Sequence, residues 1–203
     1  MPTTRLASAA DAILVTELVN TAFVEGDSFF KVPEYFKRLD DAGEGAAAII
    51  ANADESIFVL YESDPDEEGK VVTLGCAKAE FQPSPSTAEE RASAEAVCVA
   101  FGMMSVPGRN GRQGVGSGLL DALEAVFVER YPAAAREGGI TVEMPLISVR
   151  DDLYKWYGKR GFSPKGGLEP LPAELLPMLS EEYQGKVSFQ FYKKTLAAVP
   201  ARS

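Results

Sequence analysis

Val106-Pro107-Gly108-Arg109-Asn110-Gly111-Arg112-Gln113-Gly114-Val115-Gly116-Ser117-Gly118-Leu119-Leu120 is the stretch on which the fold turns. An apolar run over residues 97–106 leads into it. Leu119-Leu120-Asp121-Ala122-Leu123-Glu124-Ala125-Val126-Phe127 leads out of it with helical apolar spacing. The order reads strand, glycine loop, helix. Glycines let a backbone turn sharply and approach a ligand closely. The first N–H groups of a helix have no intrahelical acceptor, and the helix dipole favours an anion beside them. The stretch is therefore a candidate phosphate cradle. It is not a Walker loop, because no Lys precedes Ser117. Nor is it a dinucleotide fingerprint, because Leu119 fills the last position of G-x-G-x-x-G/A. A tight strand-to-helix turn without a ligand is the plainer reading of such a loop alone.

A second signature lies about forty residues on. Leu153-Tyr154-Lys155-Trp156-Tyr157-Gly158-Lys159-Arg160-Gly161-Phe162 follows a predicted strand over residues 140–149. With both motifs in this order and at this separation, the chain resembles the GNAT superfamily of N-acetyltransferases. Members carry Val-x-Pro-x-x-Arg/Gln-Gly-x-Gly-x-Gly/Ala after the fourth strand and Tyr-x-x-x-Gly-Phe at the end of a later helix. Residues 114–120 match the first motif and residues 157–162 the second. The resemblance implies an α/β (α+β) fold, with a mixed, mostly antiparallel central sheet flanked by helices and the fourth and fifth strands splayed apart. A single domain over residues 1–203 is expected, since no repeat and no long linker is seen.

The resemblance also implies transfer of an acetyl group from acetyl-CoA, as acyl-donor cosubstrate, to a primary amine by direct attack. Gly111, Arg112, Gln113, Gly114, Val115, Gly116 and Ser117 would hold the pyrophosphate, mainly through backbone N–H groups. Met104, Ser105 and Val106 would pair with the pantetheine arm. Tyr157 matches the family's tyrosine and would protonate the leaving thiolate; its unperturbed pKa of about 10 suits a thiol. Tyr154, one turn earlier, is the reserve. The chain departs from the pattern at four points. Gly111 stands where Arg or Gln is usual, and Pro107 sits one place early. Ala100 stands where some relatives have a catalytic Glu, and Arg150 where many have Asn. The general base is thus unassigned. Glu80 and Glu95 are the candidates, with Glu143 a third. The rival readings are a non-catalytic acetyl-CoA or CoA-binding sensor or regulatory module, and an ordinary nucleotide-phosphate binder that the missing Lys disfavours.

Composition bounds these readings. The 203 residues, 46 % of them apolar, suffice for a real core. The absence of histidine excludes Ser-His-Asp and Cys-His catalysis, and with two cysteines makes a metal site an unattractive reading. Cys76 and Cys98 both lie in apolar runs and are expected as buried free thiols. A net charge of −10 argues against nucleic-acid partners. No run approaches the roughly 20 apolar residues of a membrane span, no long apolar segment follows Met1, and the cytoplasm is the expected location. Arg109, Arg112, Lys155, Lys159 and Arg160 make the cradle locally basic on an acidic body, a pattern suited to an anionic cofactor and a cationic acceptor. The acceptor stays open among protein N-terminus, lysine, polyamine, amino sugar and xenobiotic amine. Oligomeric state is not readable.

Further elements are expected as follows. A short strand covers residues 3–6, and a helix runs from Ser8 or Asp11 to about Phe23. A second helical segment spans residues 33–39, where Phe29, Phe30, Tyr35 and Phe36 could line the acceptor side. A hairpin pairs residues 56–61 with 71–81. A helix covers residues 115–129, a short helix 151–159 and a last strand 187–195. Residues 168–179, with three prolines, read as loop.

Overall fold

Strands β1 (Thr3–Leu6), β2 (Ser56–Glu62), β3 (Thr73–Glu80), β4 (Val97–Ser105), β5 (Ile140–Ile147), β6 (Ser163–Pro170) and β7 (Ser188–Leu196) form one sheet in the order β1-β2-β3-β4-β5-β7-β6. These elements come from a computed structural model that describes residues 2–26, 29–30, 37–40, 42–81, 96–111 and 113–196. Every pairing is antiparallel except β4 with β5. That mixed, mostly antiparallel sheet is the architecture the motifs imply.

Helices cover both faces. The buried residues of the interior strand β3, Gly75, Cys76, Ala77 and Ala79, are small, so helices can approach from either side. Cys76 joins Val15, Val19 and Leu60 in a core under α1 (Ala12–Gly26) and α2 (Glu44–Ala51). Ala77 and Ala79 face the opposite core, beneath α3 (Val115–Arg130). That helix buries Val115, Leu119, Leu120, Leu123 and Phe127, the helical stripe expected from its sequence. It ends at Tyr131, just before Pro132 opens the short α4 (Pro132–Glu137). Close contact with β2 requires Gly118, where a Cβ would overlap the Tyr61 ring. The third glycine of the motif is thus a packing residue.

The least regular part of the sheet lies between β4 and β5. Their parallel ladder runs Val97↔Ile140, Cys98↔Thr141, Val99↔Val142, Ala100↔Glu143, and stops. Beyond it, β4 pairs with β3 through Ser105, while β5 continues with β7 from Met144↔Tyr192 to Ile147↔Phe189. The two strands therefore part, as the resemblance implied. A bulge accompanies the parting. Cys76 opposes Ser105 and Lys78 opposes Gly102, so β4 carries one extra residue. Met103 takes it up with φ 46°, the one non-glycine at positive φ among the described residues. Its carbonyl accepts a hydrogen bond from Ser105 Oγ at 3.0 Å.

Several expectations need correction. Cys76 is buried, but Cys98 is exposed at the start of β4, beside Glu143. Residues 168–170 belong to β6 and are not loop. This is an edge strand, exposed along its whole length, so its two prolines cost little ladder bonding. Helices α2 and α4 were not anticipated. Of the expected second helix, residues 33–36 lie outside the described residues and 37–39 are not helical. Glu95, Arg112, Tyr35 and Phe36 also lie outside the described residues. No helix among the described residues is long and apolar enough to cross a membrane.

Candidate functional site

The loop leaving β4 is pinned at two points before it reaches α3. Asn110 Nδ2 donates to the Leu74 carbonyl at 2.8 Å, and the Gly108 N–H donates to Glu25 Oε2 of α1 at 2.5 Å. Gly114 then turns the chain into α3 with φ 79°, a conformation glycine adopts without penalty. No side chain among the described residues caps this helix, and its first turn holds no acidic residue. The N–H groups of its first turn have no intrahelical acceptor and carry the positive end of the dipole. They face a cleft of about 650 Å³ lined by Val106, Gly114, Gly116, Ser117, Trp156 and Tyr157. A Cβ at Gly116 would stand 3.6 Å from the Trp156 ring, an ordinary contact, so a longer side chain there would intrude on the cleft beside that ring.

A second cleft, of about 280 Å³, occupies the parting itself, with Gly102 and Met103 on one side and Pro145 and Leu146 on the other. The two clefts share Ala22, Gly26, Met104, Arg150, Leu153 and Tyr157. Tyr157 thus stands where they meet. It is carried by α5 (Asp151–Lys159) and buried against Phe101 and Phe162, with ring centroids 5.9 and 5.7 Å away. Its hydroxyl donates to Met104 Sδ at 3.5 Å. Burial pushes the phenol well above the ordinary tyrosine range, against the opposing field of Arg150. The unperturbed value expected from sequence is therefore corrected: Tyr157 is held firmly protonated.

The other sequence candidates divide. Met104, Val106, Gly111, Gly114, Val115, Gly116 and Ser117 all line the larger cleft. Ser105 is buried and lines the smaller one. Gln113 is exposed and lines neither. Arg160 does not serve the cradle, because its guanidinium is engaged by Asp121 and the Ser117 carbonyl. Tyr154 turns away to stack on Tyr192 at 5.3 Å. Glu143 pairs with Lys165 Nζ at 2.6 and 2.7 Å and lines neither cleft. Glu80 pairs with Lys78 at 2.5 Å and also lines neither, although a Cβ at Gly102 would lie 3.9 Å from its Oε1. Glu80 therefore stands just behind the cleft wall.

Sequence reading missed Arg38 and Phe189, which line the smaller cleft, and Trp156, which lines the larger one. Trp156 sat immediately before the second motif and was readable. Arg38 carried no local signal. Arg150 was visible only as a departure from the motif. Its Nε and Nη2 each donate to the Asp152 carboxylate at 2.9 Å, and Nη1 donates to the Gly26 carbonyl at 3.1 Å.

No protein-family model and no curated protein matches the chain in sequence. Solved structures do match it in shape. The PaiA N-acetyltransferase of Thermoplasma acidophilum, in complex with coenzyme A, aligns with a TM-score of 0.63 and 12 % identity, covering 96 % of this chain and 99 % of that one. A GNAT-superfamily phosphinothricin acetyltransferase of Sinorhizobium meliloti, in complex with acetyl-CoA, gives 0.61 and 18 %, covering 100 % and 92 %. A ribosomal-protein-alanine N-acetyltransferase of Brucella melitensis gives 0.61 and 16 %, covering 96 % and 99 %. At these identities the likeness speaks to architecture. With its parted fourth and fifth strands, the chain has the GNAT fold.

Proposed function

We propose that the protein is an acetyl-CoA-dependent N-acetyltransferase that acetylates a primary amine. One observation carries the reading: an uncapped, glycine-entered helix N-terminus and a parted pair of strands open onto the two clefts that meet at Tyr157. Two of the similar structures hold coenzyme A or acetyl-CoA. The residues present fit such a molecule. The first-turn amides of Val115, Gly116 and Ser117 suit a pyrophosphate. The segment from Met104 to Val106, at and just past the end of β4, lies beyond the ladder with β5 and offers backbone groups to an extended arm. When bound, acetyl-CoA supplies an acyl thioester.

The chain's own groups then have three tasks. The first is orientation, by the walls of the parting. The second is stabilisation of the carbonyl oxygen's developing charge by backbone N–H groups of the β4 bulge, a local feature common beside active sites. The third is the proton at the sulfur. Tyr157 already directs its hydroxyl hydrogen at a sulfur, that of Met104. We assign it to exchange that acceptor for the leaving sulfur. Its raised pKa keeps the hydrogen in place at all neutral pH values. No carboxylate among the described residues lines the smaller cleft, so the amine attacks as the neutral base; the proton its nitrogen sheds on forming the amide restores the Tyr157 hydroxyl, which has given its own to the sulfur, or leaves through water toward Glu80. That same observation favours a second reading, a coenzyme-A-binding module without turnover. Thiol release from acetyl-CoA in the presence of an amine panel separates the two. Release that depends on the amine supports the transferase. Binding of acetyl-CoA with no release across the panel supports the module.

A further inference from the structure

We infer that Ser105 is a positioning residue for acyl transfer: its hydroxyl holds the Met103 carbonyl and thereby sets the Met104 N–H toward the acyl carbonyl oxygen. This rests on the acyl-transfer reading of the same site. Between the pairs Cys76↔Ser105 and Lys78↔Gly102, the single β3 residue Ala77 faces both Met103 and Met104. An antiparallel pair draws its ladder donors from the N–H groups of its own residues, or of those one place C-terminal to them. Neither pair therefore draws on the Met104 N–H, and the ladder with β5 has already ended at Ala100. Met104 lines both clefts, so a donor that the two ladders leave unused stands at the place where they meet.

The direction of that donor is set by its peptide plane. In a trans peptide the carbonyl of one residue and the N–H of the next point to opposite sides. The Met103 carbonyl accepts the Ser105 hydroxyl at 3.0 Å, so the Met104 N–H is turned away from that hydroxyl. The plane also needs a hold. Met103 sits at φ 46°, where a bulge ordinarily places glycine and a residue with a Cβ is strained. Such a conformation persists only where its surroundings over-determine it. Ser105 is well anchored for that task. It is 4 % exposed, and its own carbonyl packs so closely on β3 that a Cβ at Gly75 would stand 2.8 Å from it. Cys76, its buried cross-strand partner, sets a thiol beside the hydroxyl. A strained bulge, an anchored hydroxyl and an N–H that the ladders do not use together make a donor fixed before the substrate arrives, which is what stabilising a developing oxyanion requires.

The test follows the acyl carbonyl by infrared difference spectroscopy, using acetyl-CoA labelled with a heavy carbon isotope at that carbonyl. Bound to the wild type, its stretch is expected at lower frequency than in free acetyl-CoA, the mark of an accepted hydrogen bond. In Ser105→Ala it is expected to return toward the free value, while calorimetric affinity for CoA, which lacks the carbonyl, holds. In thiol release, kcat should fall by about 10²-fold, the lower end of what loss of an oxyanion donor costs, with KM for acetyl-CoA little changed. Ser105→Cys keeps the shape with a much weaker donor and is expected to behave like Ser105→Ala, for which it substitutes if that variant does not fold. Ser105→Thr, which restores the hydroxyl, is expected to recover the carbonyl shift. A serine with a structural role alone would lower stability and leave bound frequency and kcat at their wild-type values. That result overturns the inference and leaves the transferase reading standing, as does a wild-type frequency equal to that of free acetyl-CoA or wild-type behaviour in Ser105→Cys. A carbonyl shift that Ser105→Ala abolishes, with no thiol release across an amine panel, would contradict the transferase reading and leave the aiming of the Met104 N–H standing. No binding of acetyl-CoA to the wild type would contradict both.

Discussion

The first half of β4 and its second half belong to one strand and sit in different worlds. Residues 97–100 ladder with β5 in parallel, and Val99 is buried in the core beneath α3. From Ala100 the strand is held by β3 instead, and Phe101 to Ser105 look across a parting at Met144 to Ile147. Ala100 is the handover, paired with Glu80 on one side and Glu143 on the other. The closed half gains stability from ladder and core. The open half forgoes one ladder, bulges at Met103 and leaves backbone groups that a ligand can satisfy. The proposed function is located where the sheet stops being complete. Substitutions in the two halves should therefore separate into those that change stability and those that change turnover.

Tyr157→Phe tests the open half hardest. We expect turnover to fall by about 10²- to 10⁴-fold, the usual range for a lost proton donor. Global stability should move by less than about 1 kcal/mol, because the hydroxyl's partner is a thioether, a weak acceptor. The pH profile adds a second reading. Burial raises the phenol's pKa, so wild-type turnover should show no descending limb from this group as pH rises to about 10. A limb that disappears in Tyr157→Phe would refute the protonated assignment.

Ile140→Ala strikes the closed half. Ile140 is fully buried and pairs with Val97 at the start of the ladder. Denaturant unfolding should show a loss of about 2–5 kcal/mol, with kcat/KM for the best amine unchanged below the melting range. A turnover defect larger than the folded fraction explains would mean that the halves are coupled. Gly118→Ala sharpens the reading of the glycine loop. A Cβ there overlaps Tyr61, so stability should fall by about 1–3 kcal/mol while acetyl-CoA affinity holds. Reduced affinity at wild-type stability would return Gly118 to the cradle.

The smallest effect is remote from both halves. Asp11 accepts two bonds from Arg5 and two from Ser8, all at 2.8 Å. The Arg5 bonds, above all, hold its carboxyl well below the usual range. A depressed folded pKa means stability that is present above the unfolded value, about 3.9, and lost as pH falls through the native one. Asp11→Asn should cost about 1 kcal/mol at pH 7, discounted because Arg5 is 41 % exposed, and should flatten the acid limb of the stability curve. Turnover should not change. An acid limb identical to wild type would remove this pair from the account.

What could be read from the sequence follows the physics of each segment. The glycine loop and Tyr157 are local patterns, and local patterns survive without coordinates. The parting of β4 and β5 was reached through resemblance, because strand separation leaves no periodic trace. β6 was unreadable, since Ser163-Pro164-Lys165-Gly166-Gly167-Leu168-Glu169-Pro170 has no alternation and joins the sheet as an edge, through a ladder with β7. Helix α2 follows a left-handed Gly43, and the carboxylate that accepts its first N–H groups belongs to Asp40, three residues before that position, so its start carried no ordinary capping signal. Cys98 misled because a continuous apolar run reads as burial on both faces, while its side of β4 faces Glu143 and Lys165 near the surface. Arg38 reaches the cleft through the path of the chain after α1, which only tertiary structure displays.

The central claim is that the open half of β4 and the N-terminus of α3 form an acetyl-CoA site. Calorimetric titration of the wild-type protein and Gly116→Glu with acetyl-CoA tests it most directly. The account predicts saturable one-to-one binding to the wild type and none to the variant, whose side chain intrudes on the cleft beside Trp156 and sets a negative charge on the helix N-terminus. Equal affinity in a folded Gly116→Glu, or no wild-type binding at millimolar ligand, would contradict it.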